Sequence, residues 1–214
     1  MRILNLYAGI GGNRKLWGDE HEITAVEYND EIAKVYSDYF PNDNLIVGDA
    51  HEYLISNHKN FDFIWTSPPC PSHSRARFWG YSDTNPIYPD MSLYQEILLL
   101  KHMFKGKWVS ENTIPYYDPL IPAKKVGRHL FWTNFNIGNI DANDGDIHAG
   151  TNKAFEELYG YDLSKYNPKC GYGGSREKLT WLRNCVTPQT GLYILNCAMD
   201  IITKQNIKQT SIFD

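Results

Sequence analysis

Ile3-Leu4-Asn5-Leu6-Tyr7-Ala8-Gly9-Ile10-Gly11-Gly12 decides the fold: a short apolar run feeding directly into a glycine-rich turn. A run of that length suits a buried strand. The glycines let the chain turn sharply and approach a ligand closely. Arg2 followed by apolar residues imitates a secretion signal. Asn5 and the glycines interrupt it, however, and no small-x-small cleavage site follows. The stretch reads as part of the mature fold of a cytoplasmic chain.

Working outward, the strand-then-helix texture repeats. Ile23 to Val26 reads as a second strand, ending on Glu27. Ile32, Val35, Tyr36 and Tyr39 share one helical face, stopped by Pro41. Leu45 to Val47 is a third strand, before Gly48-Asp49, and Phe61 to Thr66 a fourth, ending at Ser67-Pro68-Pro69. Leu93, Ile97, Leu100 and Phe104 mark another helix, and Trp108-Val109 a fifth strand before Glu111-Asn112. Such alternation predicts a parallel α/β sheet. Ligands of such sheets bind outside the carboxyl ends of the strands. Gly9, Gly11, Glu27, Asp49, Cys70 and Glu111 all fall there. Beyond Arg128, Leu130 to Ile137 reads as a strand or half a hairpin, Gly138 to Gly150 as loop, Ala154 to Tyr159 as a short helix and Pro188 to Ile202 as helical.

A length of 214 residues predicts one domain with room for a small inserted lobe. With 42% hydrophobic and 21% charged residues, a disordered chain or coiled coil is excluded. The longest apolar run, Ile97 to Leu100, falls far short of the ~18 residues of a membrane span. Net charge is −4, but residues 71–133 carry 8 basic and 5 acidic side chains against 5 and 11 in residues 1–70. An anionic partner would therefore meet the middle third. The cysteines at 70, 170, 185 and 197 form no CxxC, and no histidine sits at zinc spacing, so no metal site is predicted.

An acid 15 residues past Gly12 ends the second strand. Its carboxylate suits both hydroxyls of a ribose, Tyr28 offers a face to an adenine, and Asp49 an acceptor for the adenine amino group. No lysine or arginine stands in the glycine loop to grip phosphate, since Arg14 and Lys15 lie on the outgoing helix. The nucleoside indicated is S-adenosylmethionine rather than NAD or ATP. At the fourth strand, prolines on both sides of Cys70 restrict the backbone and aim the thiol. Arg75 and Arg77, folded over it, would favour the thiolate. His73 reads as a loop hydrogen bonder.

In order along the chain, these segments resemble the motifs of the DNA (cytosine-5) methyltransferases. Leu6 to Gly12 resembles motif I and Val26-Glu27-Tyr28-Asn29 motif II, while Gly48-Asp49-Ala50 is similar to motif III. Ser67-Pro68-Pro69-Cys70 matches motif IV with Cys70 at the nucleophile, and Ser110-Glu111-Asn112-Thr113 resembles the Glu-Asn-Val motif VI. Gly127-Arg128-His129-Leu130-Phe131 is similar to the end of motif VIII and Arg183-Asn184-Cys185-Val186 to motif X, where the chain returns to the cofactor. The chain departs from the family pattern at Asn5 (usually aspartate), Pro71 (usually glutamine), His129 (in place of a further arginine) and Arg183 (usually glycine).

The resemblance implies an α/β, Rossmann-like S-adenosylmethionine-dependent methyltransferase with a mostly parallel sheet and a reduced target-recognition lobe. Its core would span 1–135, the lobe 136–178, a returning segment 179–208 and a tail 209–214. Tyr7, Ala8, Gly9, Gly11, Gly12, Glu27, Tyr28, Asp49, Ala50, Pro68, Asn184, Cys185 and Val186 would hold the cofactor. A cytosine flipped from DNA would take Cys70 at C6, Glu111 would hold and protonate N3, and Arg128 would grip O2 or a phosphate. Arg75, Arg77 and Trp79 would close on the DNA backbone, and Tyr159, Tyr161, Tyr166 and Tyr172 are candidates for stacking or for packing. The alternatives are an RNA cytosine-5 methyltransferase, an amino-methyltransferase of cytosine N4 or adenine N6, and a non-catalytic DNA-binding relative. An aromatic after the prolines would suit amino chemistry; Cys70 favours C5. The monomeric chain ends in Gln209-Thr210-Ser211-Ile212-Phe213, which resembles a peptide that docks on the bacterial sliding clamp.

Overall fold

The computed structural model describes residues 1–75, 87–138, 151–169, 171 and 173–201. Five strands run parallel: β1 (Arg2–Leu6), β2 (Glu22–Glu27), β3 (Asn44–Val47), β4 (Phe63–Thr66) and β5 (Lys107–Thr113). A hairpin of β6 (Lys124–Val126) and β7 (His129–Thr133) adds to β5 in the antiparallel sense. The sheet order is β3-β2-β1-β4-β5-β7-β6, so the fold is α/β, Rossmann-like and mostly parallel.

Both faces of β1 are covered, which is why its residues are apolar without alternation. On one face, Ile194 and Leu195 of α6 (Pro188–Ala198) pack with Ile3, Phe63 and Trp65. On the other, Leu54 of α2 (Ala50–Asn57) and Ile97 and Leu100 of α3 (Ser92–Met103) pack with Leu4, Leu6 and Ile64. Burying each such side chain contributes about 1.5–3 kcal/mol. Helix α1 (Asp30–Tyr39) starts where the Asn29 side chain accepts from Glu31 N–H and Ile32 N–H, a cap worth about 1 kcal/mol.

The chain leaves β3 at one edge and returns as β4 on the far side of β1. That reversal opens a crevice between the carboxyl ends of β1 and β4. It brings the Tyr7–Gly12 turn and the Ser67–Cys70 loop together from opposite crossovers.

Several expectations change. No helix leaves the glycine loop; Arg14 N–H donates to Gly11 O and Trp17 N–H to Arg14 O, a run of single turns. Glycines at 11, 12 and 18 disfavour a helix there, and Arg14 is buried against Asp43 (2.9 and 3.0 Å). Glu111 and Asn112 lie within β5 rather than after it, because β7 pairs with them opposite Phe131 and Leu130. Helix α2 has little apolar periodicity, and helix α5 (Gly174–Arg183) begins on glycines that disfavour a helix; neither is read from sequence.

Tyr159 at the end of α4 (Asn152–Tyr159), with Tyr161 and Tyr166, is buried among Ile10, Val35, Trp181 and Leu182. These three pack and are not presented for stacking; Tyr172 lies outside the described residues. Tyr161 Oη donates to Ile10 O at 2.7 Å, tying this segment to the glycine loop. Among the described residues, no helix is long and apolar enough to cross a membrane.

Candidate active site

A cavity of about 1100 Å³ lies at the crevice. At one end the main chain is held by a carboxylate. Glu27, the last residue of β2, accepts from Gly9 N–H on Oε2 and from Asn29 N–H on Oε1, each at 2.9 Å. Burial pushes its carboxyl above the usual range, against the pull of these backbone donors. Two carboxylate oxygens offer about four acceptor directions, so the pair retains capacity for vicinal hydroxyls. Beside it Tyr28 is 79% exposed, its ring uncovered as an adenine would need.

The turn itself is shaped for close approach. A Cβ on Gly9 (φ +57°) would meet nothing within 4 Å, so the main chain there borders open space. Tyr7 adopts φ 55°, rare for a residue with a side chain. Its hydroxyl donates to Glu96 Oε1 at 2.6 Å, which holds this conformation. Gly12 answers a different need: a Cβ would stand 2.6 Å from Cys185 Cβ and 2.7 Å from Val186 O. The segment after α5 thus closes directly over the loop, and Asn184, Cys185 and Val186 line the cavity with Gly12 and Ala8.

Gly11, expected to hold the cofactor, is turned away instead. A Cβ there would come within 2.3 Å of Phe40 Cε2, so its role is packing, and it does not line the cavity. Asp49 and Ala50 do line it, Asp49 capping α2 through Glu52 N–H at 3.0 Å.

A nucleoside without phosphate fits this end. The two cations after the glycines are committed elsewhere, Arg14 to Asp43 and Lys15 over the rings of Tyr39 and Tyr161 at 4.1 and 4.3 Å. With turns in place of a helix, no helix N-terminus directly follows the glycine loop to meet a pyrophosphate there. The acceptors of Glu27 and Asp49 and the exposed ring of Tyr28 all line this end of the cavity.

The opposite end carries Cys70, Glu111 and Arg128, all on the cavity wall. The proline loop is fixed at several points: Asn112 Nδ2–H donates to Pro68 O at 2.9 Å, and the N–H groups of His73 and Ser74 reach Cys70 O at 2.9 and 3.0 Å. His73 is the hydrogen bonder its context suggested, with Nδ1 2.6 Å from Tyr117 Oη; burial lowers its pKa.

Two corrections concern Cys70. Burial foremost, and then the charge of Glu111, push its thiol up to about 11, so the side chain rests as a thiol rather than a thiolate. The cation that opposes this is Arg128, not Arg75, which does not line the cavity. Arg128 is held in turn: Nη2 donates to Cys185 O at 3.0 Å and to Tyr159 Oη at 3.1 Å. Arg77, Trp79, Cys170 and the Gln209 to Phe213 peptide lie outside the described residues.

Sequence reading missed three groups. Glu96, buried on α3, accepts from Tyr7 Oη and from Thr66 Oγ1 (2.6 Å each) and faces His51 Nδ1 at 3.0 Å, bridging the two loops of the crevice. His51 lines the cavity, as does His129, whose Nδ1 hydrogen-bonds Glu111 Oε1. Glu96 gave one signal, a lone acid on the apolar face of Leu93, Ile97 and Leu100. His129 gave none beyond its place after Arg128. Among the described residues, no cluster of three or more histidines, cysteines or acids is arranged for a metal.

Residues 1–86 match the family model described as C-5 cytosine-specific DNA methylase. The methyltransferase EhMeth of Entamoeba histolytica has a similar fold, with a TM-score of 0.56 at 11% identity over 94% of this chain and 98% of that one. A mutant of Spodoptera frugiperda DNMT2 is 31% identical over 52% of this chain and 35% of its own, with a TM-score of 0.37. No curated protein sequence matches. The family model covers the glycine turn, the Glu27 strand end and the Cys70 loop, the three segments that build the crevice. Over residues 1–86 the chain is similar to the C-5 cytosine-specific DNA methylase family.

Proposed function

We propose that this protein transfers a methyl group from S-adenosylmethionine to C5 of cytosine in DNA, through a covalent adduct with Cys70. One observation carries the reading: an adenosine-shaped end and a Cys70–Glu111–Arg128 end share one cavity. Glu27, Tyr28 and Asp49 would hold the cofactor's ribose and adenine, with Tyr7, Ala8, Gly9, Gly12, Ala50, Pro68 and Asn184 to Val186 around it. S-adenosylmethionine, when bound, supplies an electrophilic sulfonium methyl group.

The remaining work belongs to the protein. Cytosine C5 is a poor nucleophile until a thiolate adds at C6 and makes C5 electron-rich. Glu111 gives a proton to N3 as that addition places charge on the ring, help worth about 10²–10⁴-fold. Arg128 offers a positive charge to O2 and to the Cys70 sulfur. Cys70 releases its proton to solvent and Glu111 takes one up from solvent as the substrate binds. The bound substrate then excludes water and brings Arg128 and sulfur into stronger contact.

Residues 136–178 stand where the family carries its target-recognition region. The described part of this segment is largely committed to packing on α1 and the glycine loop. The reading is therefore a short target site, with DNA met by the basic middle third, where Arg75 is exposed. The tail peptide remains a candidate for sliding-clamp docking.

Digesting nucleic acid from cells that express the chain, and separating the nucleosides, tests the reaction. The expected product is 5-methylcytosine in DNA, absent from cells expressing Cys70→Ala. N4-methylcytosine or N6-methyladenine would replace this reading with amino chemistry, 5-methylcytosine confined to RNA would move the substrate, and no methylated base would leave a non-catalytic relative.

A further inference from the structure

His129 takes no part in the reaction as written above, yet it is the group against which Glu111 rests. Glu111 on β5 and His129 on β7 lie on the same face of the sheet, because His129 pairs with Thr113 and Glu111 with Phe131. Diagonal neighbours on one face reach each other across antiparallel strands. Both side chains are buried, and Nδ1 meets Oε1. The ring is stacked on Phe131 at 6.3 Å, which sets its plane.

The other ring nitrogen completes the argument. His129 Nε2 is buried with no partner among the described residues. A hydrogen on Nε2 would be a buried donor without an acceptor, the costlier arrangement; a bare lone pair there costs less. The neutral ring therefore carries its hydrogen on Nδ1, where Glu111 Oε1 accepts it.

We propose that His129 is the positioning residue of Glu111: its Nδ1–H occupies Oε1, so that Oε2 alone exchanges a proton with N3 of the target base. This rests on the functional reading above and deepens it. As the Cys70 sulfur–C6 bond forms, the C5–C6 π pair moves into the ring and the Oε2 proton passes to N3. The carboxylate left on Glu111 is then stabilised by the Nδ1–H already pointing at it. When the adduct collapses, the sulfur leaves C6 and the N3 proton returns to Oε2. The thiols of Cys70 and Cys185 both feel the charge of Glu111, and both also feel the opposing charge of Arg128.

Addition can be read without any methyl donor. The adduct makes C5 basic, so it takes a proton from water and releases the one it held when the adduct collapses. DNA carrying tritium at cytosine C5 should therefore lose tritium to water in the presence of this protein. His129→Phe keeps the ring's bulk and removes the donor, and release at saturating DNA should fall about 10²-fold with KM for DNA within about two-fold. His129→Asn places an amide N–H near the Nδ1 position and should retain release within about ten-fold, with an unaltered pH profile. Release by His129→Phe within about three-fold of the unaltered chain, or loss carried by KM alone, overturns the proposal. If His129→Phe fails to fold, the asparagine variant decides: a 10²-fold loss of release overturns it. Absence of release that depends on Cys70 in the unaltered chain removes both the functional reading and this inference. Cys70-dependent release indifferent to His129 removes the inference alone.

Discussion

At the Gly9 end of the cavity, polar side chains hold main chain: Glu27 accepts two backbone N–H groups and Asp49 a third. At the Cys70 end, side chains mostly hold side chains or distant carbonyls, as in His129 with Glu111 and Arg128 with Tyr159 and Cys185 O. The carboxylates of the first end and the main chain they hold lie within 50 consecutive residues, in loops that follow adjacent parallel strands, although Glu96 and the segment after α5 also reach it. The second needs β4, a hairpin and the segment after α5, up to 57 residues apart in a single hydrogen bond. A cofactor end built on main chain is indifferent to most substitutions elsewhere; a reactive end built on long-range side-chain contacts is not.

The largest expected effect separates the two ends outright. Cys70→Ser should reduce methyl transfer by at least about 10³-fold, since a serine hydroxyl without an adjacent base is a far weaker nucleophile. Cofactor affinity, measured by calorimetry with S-adenosylhomocysteine, should change by less than about two-fold. A ten-fold loss of affinity would show that the ends are not independent. Glu27→Ala is the converse. It removes the ribose acceptor and releases Gly9 and Asn29, and should weaken the same titration about 10²-fold. Glu27→Gln should recover little, because one end of the amide must face a backbone N–H with its own N–H.

The glycines give a finer contrast. Gly12→Ala must place a methyl against Val186 O, a main-chain atom that cannot swing aside, and should cost about 1–3 kcal/mol in urea unfolding. Gly9→Ala meets open space and should cost about 1–2 kcal/mol through its positive φ alone. Equal losses of cofactor affinity in both variants would contradict the view that Gly9 borders the ligand while Gly12 serves the returning chain.

This division also explains what the sequence made legible. Five parallel strands, α1, the glycine turn and Glu27 carry their meaning in contiguous runs, so periodicity and strand-end position were enough. Gly11 was assigned to the ligand because a glycine pattern cannot show which glycine faces the cavity and which faces Phe40. The Arg75 assignment failed because proximity in sequence to Cys70 is no measure of proximity in space, and Arg128 arrives from a hairpin 58 residues on. Glu96 and His129 act through partners 30 to 89 and 18 residues away, and no local pattern encodes such pairs. The stacking option for the tyrosines fell to burial, which composition cannot foresee.

The smallest effect tests the electrostatics of the reactive end in the protein alone. With burial and Glu111 raising the Cys70 thiol to about 11, about one molecule in 10³ carries thiolate at pH 8. Alkylation of Cys70 by iodoacetamide should therefore rise about ten-fold per pH unit and level off only near pH 11. Glu111→Gln removes the neighbouring negative charge and should move that midpoint down, accelerating alkylation at pH 8 by a few-fold. Arg128→Met removes the opposing positive charge and should move it up, with slower alkylation. The two shifts have opposite sign because the two charges acting on the one sulfur are opposite in sign. A midpoint below about 9 in the unaltered chain would mean that a cation reaches the sulfur already at rest, and Arg77 would then be the next residue to replace.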